Sequence, residues 1–432
     1  GASGSLLHLG IGPIVTGSII MQLFTGAKII NLNLQDPRDK EIYQGTQKVL
    51  VLVMIVVESA PQVFGFLEPS SAIVADVGLT WARMTIITQL AIGSYLVFLM
   101  DESVSKWGIG SGISLFIAAG VSQAIFTGTL NWEPAPGGGS EVPSGTIPMI
   151  IWYLKNSSTA DLSGGGYEAM LLAPPNPIVA VLGTLAVFFI VVYVESSRIE
   201  LPLAHGKVRG ARGRYPIRLI YASNIPVILM AALLANVNMF ALLFWSHPGM
   251  STWPIFGRNW MLGAFDTTDG SNPVPTMGLA YYVNRIAGLQ DWFLPLVSPE
   301  KYGGYMGGHE PWQLVVHIVV YMGIMVLGSI VFAKFWIETT NMGPDSVAKQ
   351  IQGSGMQIPG FRRDPRIVEK VLERYIPTVT VFSGAMVGFL AAGADMIGTV
   401  GQSSGTGVLL TVGIMIRMYE QIGKEQMMEM HP

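Results

Sequence analysis

Apolar residues in this chain are gathered into long unbroken runs, not into the narrow stripes of soluble surface helices. Nine stretches carry almost no charge over about 17 residues or more, the length a helix needs to cross roughly 30 Å of hydrocarbon. They are residues 6–27, 49–67, 84–100, 109–130, 176–194, 219–245, 312–333, 376–394 and 396–416. Only Asp395 and the Gly/Ser run 398–407 separate the last two, so the final helix is expected to start near Gly405. The connections 131–175 and 246–310 are rich in Gly, Pro, Ser and Trp, the composition of irregular surface structure. Within the first, residues 133–145 form a low-complexity run expected to be mobile. The connection 334–374 instead predicts short helices at 346–352 and 365–374 around a turn at 353–360.

Composition agrees with the pattern. Of 432 residues, 50% are hydrophobic and 12% charged, with mean hydropathy +0.48. Soluble domains run nearer a quarter charged, so a soluble enzyme and a disordered chain are both excluded in favour of a multispanning membrane protein. The net charge of −3 offers no overall basic balance for nucleic acid. The chain has no cysteine, which removes disulfides, thiolate metal sites and a cysteine nucleophile. His8, His205, His247, His309, His317 and His431 show no metal-ligand spacing, and no cofactor or metal is expected. No nucleophile, acid/base pair or metal cluster can be picked from the loops, so no enzyme is indicated.

Charge sets the orientation. The alternate connections 28–48, 101–108, 198–218 and 334–374, with the C-terminal tail, hold 20 of the 25 Lys and Arg residues. By the positive-inside rule these loops and the C-terminus are cytoplasmic. Nine spans that end inside begin outside. The chain starts Gly-Ala-Ser-Gly without Met or signal peptide, so at least one earlier span is expected to precede it.

Two short segments of the first half echo the second. Ile11-Gly12-Pro13-Ile14-Val15 resembles Asn224-Ile225-Pro226-Val227-Ile228, and Gly110-Ser111-Gly112-Ile113 resembles Gly405-Thr406-Gly407-Val408. Each pair is five spans apart and so crosses in opposite directions. Inverted repeats of this kind place a functional site near the midplane, between the halves.

The same segments belong to a larger set. It contains Gly10-Ile-Gly-Pro-Ile-Val-Thr16, Asp101-Glu-Ser-Val-Ser-Lys-Trp-Gly-Ile-Gly-Ser-Gly112, Pro202-Leu-Ala-His-Gly206 and Tyr215-Pro-Ile217 with Ser223-Asn-Ile-Pro-Val-Ile228. Gly405-Thr-Gly-Val-Leu-Leu-Thr411 with Arg417-Met-Tyr-Glu-Gln421 completes it. Over essentially the whole chain this set resembles the SecY family, the pore subunit of the protein-conducting translocon, in its archaeal form. The resemblance implies an all-α polytopic membrane protein, a ten-helix bundle with an inverted pseudo-repeat. The nine spans would be the family's second to tenth. The first span and most of the plug would be absent, and the long external loops depart from the pattern. The N-terminal half would then be 1–130, followed by an external loop at 131–175. The C-terminal half would be 176–432, with cytoplasmic loops 198–218 and 334–374. The implied location is an archaeal cell membrane.

A channel for unfolded chains must pass bulky polypeptide yet hold back ions, which a narrow aliphatic constriction does by dewetting. Ile11 and Val15 share an i,i+4 face, as do Ile113 and Ile117. Ile228 follows Pro226, and Leu410 follows the Gly405–Gly407 turn. Aliphatics at helical spacing otherwise read as core or lipid-facing. The resemblance assigns these six to the pore ring. Gly10, Gly12, Gly17, Gly110, Gly112 and Gly120 would let helices approach or slide, which ordinary packing explains equally.

Glu58 is an acid deep in a span, where a carboxylate is costly unless paired or hydrated. The resemblance places Thr16, Glu58 and Asn236 at a lateral gate. A purely structural polar staple and a proton-coupled transport site are the alternatives. It also implies docking of the ribosome by Lys207, Arg209, Arg212, Arg214, Arg362 and Arg363, whose guanidinium groups suit RNA phosphates. Positive-inside bias alone also predicts basic loops. The implied partners are small single-span subunits (SecE/gamma-like and beta-like), the ribosome, a nascent polypeptide with its signal sequence, and membrane lipid. Two rivals share the architecture: a secondary transporter of a small solute, and an insertase or scaffold without a pore.

Overall fold

The structure is a computed structural model. It describes residues 4–65, 67–108, 110–135, 141–205, 212–218, 225–255, 257–266, 273–357, 365–401 and 403–430, with backbone alone for 198–205, 212–218, 356, 357 and 365. Among the described residues, nine long helices fall on the nine apolar stretches. They are α1 (Gly12–Gly26), α2 (Pro37–Gly65), α3 (Leu79–Trp107), α4 (Gly112–Leu130), α5 (Ile178–Ser196), α6 (Ile225–Ser246), α7 (Pro311–Thr339), α8 (Pro365–Ile397) and α9 (Gly405–Met430). Seven of them are long and apolar enough to cross a membrane. The exceptions are informative. α1 has only 15 residues and follows a chain of turns at 4–11. α9 runs for 26 residues but buries only its first ten, Gly405 to Ile414, before Arg417 and a charged second half. As expected, it starts at Gly405.

Local chemistry explains several boundaries. α1 carries Pro13 in its first turn, where the missing N–H costs nothing. α2 opens on Pro37 with Asp39 beside the positive helix end. The expected short helix at 365–374 is corrected: it is the beginning of α8, which continues through Pro377 into the span. Val368, Leu372, Ile376 and Val379 form one unbroken stripe at helical spacing, buried against Val347, Ala348 and Ile351 of the helix Pro344–Gly353. That packing outweighs the proline.

The chain groups into two units. The first comprises Gly1–Met100, Val194–Asn284 and Gly323–Gly388. In it α1 packs against both α2 and α6. β1 (Arg198–His205) and β2 (Arg212–Arg218) form an antiparallel hairpin, to which β5 (Met356–Gln357) adds along β1. A second ribbon pairs β3 (Ala264–Asp266) with β4 (Val274–Met277) and packs Phe265 with Ala241, Leu242 and Ala280.

The second unit comprises Asp101–Tyr193, Arg285–Met322 and Phe389–Pro432. Here α4 packs against α9. The connection after α4 is more ordered than its composition suggests. Helices Thr146–Asn156 and Tyr167–Leu172 enclose a small core of Met149, Leu162 and Met170. Residues 136–140 of the run expected to be mobile lie outside the described residues. Lys301 donates to Glu168 at 2.5 Å, and the Tyr302 hydroxyl donates to the same carboxylate. Hydrogen bonding from Lys301 holds the Glu168 carboxyl below its usual range.

Candidate functional site

Close approach of α1 and α2 positions the first cluster. A Cβ on Gly17 would lie 2.7 Å from Val51 Cγ2, and one on Gly12 would lie 3.0 Å from Glu58 Oε2. Glycines at these points let Thr16 reach Glu58. The Thr16 hydroxyl lies 2.5 Å from Glu58 Oε1 and 2.9 Å from the carbonyl of Gly12, two acceptors for one proton. Asn236 Nδ2 of α6 donates to Thr16 Oγ1 at 2.9 Å. All three candidate gate residues therefore meet, at the junction of α1, α2 and α6 in one unit. Glu58 is 3% exposed and accepts from Thr16, which Asn236 in turn supports.

A second polar layer lies one turn along α2, and the sequence did not single it out. His8 Nε2 and Gln62 Oε1 are 2.8 Å apart, and Gln62 Nε2 approaches Met239 Sδ at 3.3 Å. Gln62 is i+4 from Glu58, and Met239 is i+3 from Asn236, so this layer joins α2 and α6 again, with His8 reaching in from the turns that precede α1. The i,i+4 spacing of Glu58 and Gln62 was the available signal. On the other side of Glu58 along α2, Gln47 Nε2 donates to Ser18 Oγ at 2.6 Å.

The six ring candidates divide between the units. Ile11, Val15 and Ile228 belong to the first, and Ile113, Ile117 and Leu410 to the second. Ile11 is the cap of α1, yet its carbonyl accepts from Val15 N–H at 3.1 Å, so the helical i,i+4 relation holds. Val15 and Leu410 are buried, and the other four are half-buried. Within the second unit, Gly110 lies beside Gln421 and Gly407 beside Val121, so α4 and α9 run antiparallel. Leu410 is three residues past Gly407, and Ile117 is four before Val121. At 1.5 Å per residue they come level within about 1.5 Å. Ile113 sits one turn further along α4. Gly120 has no neighbour within 4 Å of an added Cβ, so it plays no part in close packing.

Two of the basic candidates fall on the hairpin. Arg212 and Arg214 occupy β2, with register partners Ala204 and Pro202. Alternation along the strands puts their positions on one face with Arg198 and Arg218. Lys207, Arg209, Arg362 and Arg363 lie outside the described residues.

Two aspartates absent from the sequence-based candidates touch helix starts. Asp101 accepts from the Ile113 N–H, and Asp395 accepts from the Thr406 N–H. Their signal was an acid about ten residues before a Gly-containing helix start. The described residues hold no cluster of His, Cys, Asp or Glu able to bind a metal.

Comparison with known proteins is extensive. The family model for SecY matches residues 5–419. The protein translocase subunit SecY of Halobacterium salinarum is 45% identical over 440 aligned positions, covering 100% of this chain and 84% of that protein. A solved structure described as that of a protein-conducting channel superposes with a TM-score of 0.74 at 38% identity. The match covers 99% of this chain and 84% of the other. The Sec61 channel in a canine ribosome-channel complex from the endoplasmic reticulum gives 0.71 at 38% identity, covering 99% and 84%.

Proposed function

This chain belongs to the SecY family, and from that premise we propose how its residues carry out the work of the family. It is a gated protein-conducting channel, a translocase subunit and not an enzyme. It passes secretory polypeptides across a membrane and releases membrane segments sideways. It is a multi-pass integral membrane protein.

The observation that carries the gate assignment is the buried Thr16–Glu58–Asn236 cluster, which ties α1 to both α2 and α6. Each bond of this kind is weak, averaging about 0.6 kcal/mol in a membrane. Such a seam stays shut at rest and yields to a hydrophobic signal sequence that offers comparable packing. Ile11, Val15, Ile113, Ile117, Ile228 and Leu410 supply the constriction, with branched chains that seal by dewetting and do not grip the substrate through hydrogen bonds. Because the chain has no cysteine, single cysteines at these positions report cleanly. A secretory precursor arrested midway through the reconstituted channel should cross-link to cysteines at Ile11, Ile113, Ile228 and Leu410. Failure at both Ile113 and Leu410 would remove the ring assignment.

The basic loops dock the ribosome, with small single-span SecE-like and beta-like subunits bracing the bundle. The canine Sec61 relative, solved in a ribosome-channel complex, supports the first partner. The bias of 20 of 25 basic residues to alternate connections supports a cytoplasmic C-terminus, and the match to a halobacterial relative supports an archaeal cell membrane. Arg362→Glu should weaken ribosome binding, with a larger loss at low salt than at high salt because exposed charge pairs are screened. Equal binding by the variant and the parent at both salts would take this loop out of the docking surface.

A further inference from the structure

Two helices of the second unit start in the same way. α4 begins at Gly112 after Ser111, and α9 begins at Gly405 after Ser404. In each, the N–H of the second helical residue donates to an aspartate near the end of the preceding helix. Ile113 donates to Asp101 Oδ1 at 3.0 Å, and Thr406 to Asp395 Oδ1 at 3.1 Å. In each, the first helical residue is a glycine pressed onto that aspartate. A Cβ on Gly112 would lie 2.7 Å from Asp101 Cα, and one on Gly405 would lie 2.3 Å from Asp395 N. Any larger residue would push the helix end away from the carboxylate. The structural echo is therefore Ser111-Gly112-Ile113 with Ser404-Gly405-Thr406, displaced by two residues from the sequence echo of Gly110-Ser111-Gly112 with Gly405-Thr406-Gly407.

The physical consequence is axial. The first four N–H groups of a helix lack partners within it, and that end carries partial positive charge. A carboxylate fixed on a neighbouring helix satisfies one such donor and meets that charge. Sliding the helix by a turn would break the bond and strand a carboxylate. Asp395 is the firmer of the two. Besides the Thr406 N–H, its Oδ2 accepts from Thr406 Oγ1 at 2.9 Å and from the Tyr321 hydroxyl of α7 at 2.6 Å, and it is 3% exposed. Since α4 and α9 are antiparallel, the two anchors act at opposite ends of the pair.

We propose that Asp101 and Asp395 are positioning residues that fix the height of α4 on α3 and of α9 on α8, and through these the axial register of α4 against α9, which holds Ile117 and Leu410 at one level. The proposal rests on the reading of those two residues as part of the constriction, but helix register can be measured apart from it. Cysteines at Val121 and Gly407, which face each other, would be placed in the full chain reconstituted with its partner subunits in vesicles. Oxidant-induced disulfide yield reads the register, and resting ion leak reads the seal. Asp395→Ala should cut the disulfide yield of inserted protein severalfold and raise the leak severalfold. Asp395→Asn keeps an oxygen acceptor for the Thr406 N–H and should restore both. A role in folding alone would lower the amount of inserted channel and leave the disulfide fraction unchanged. Parental disulfide yield in Asp395→Ala would overturn the proposal. Should that variant fail to accumulate, Asp101→Ala puts the same question at the other anchor, and parental disulfide yield there would overturn it. Lost disulfide yield with unchanged leak would support the anchors and overturn the constriction instead.

Discussion

Vesicles carrying the channel with Ile113 and Leu410 both replaced by glycine should leak ions at rest faster than the parent by on the order of tenfold or more, a barrier change of at least about 1.4 kcal/mol. Ions are held back because a narrow aliphatic passage expels water and offers a charge nothing in return. Ile113 and Leu410 come from two antiparallel helices, so the pair opens the passage from two sides. Glycine deletes the side chain proposed to dry the passage, at a cost in helix propensity of about 1 kcal/mol per site. Leu182→Gly with Leu185→Gly is the control, since both residues are exposed on α5 and carry the same loss of helix propensity. Leak that rises equally in both pairs, or in neither, would remove the constriction from these positions.

Thr16→Val should relax the selectivity for signal sequences. Valine matches threonine in shape but can neither donate to Glu58 nor accept from Asn236, so one substitution removes both cross-helix bonds. Interhelical bonds in membranes average about 0.6 kcal/mol and reach about 1.7, so each bond lost shifts the gate equilibrium by about threefold to about twentyfold. Precursors with weakened signal sequences should gain the most, because intact signals already open the seam. Thr16→Ser keeps the hydroxyl and should behave as the parent. The measurement is export of matched precursors with strong and weakened signals. A uniform fall in export of both would mark the cluster as a structural staple.

Much of this was legible along the chain. Runs of apolar residues long enough for a bilayer located all nine helices, because a spanning helix must satisfy its backbone internally and meet lipid around its surface. Glu58 stood out because an acid in such a run needs a reason. Asp395 and Asp101 did not, since acids at span ends are common, and their meaning depends on which helix start comes to rest against them. The helix expected at 365–374 was placed correctly but ended too early. Its continuation rests on Val347 and Ile351 covering a stripe that crosses Pro377, and no local propensity reports that cover.

Sequence by itself determined class, span positions and the family, because each rests on composition or on motifs read in order. Tertiary structure decided which polar residues meet. Thr16 and Asn236 are separated by 220 positions, and only the approach of α1 to α2, allowed by Gly12 and Gly17, brings Glu58 within reach of the first. It also decided the register of α4 against α9. A motif states which residues begin a helix, but the height of that helix depends on the bonds its first N–H groups find on a neighbour.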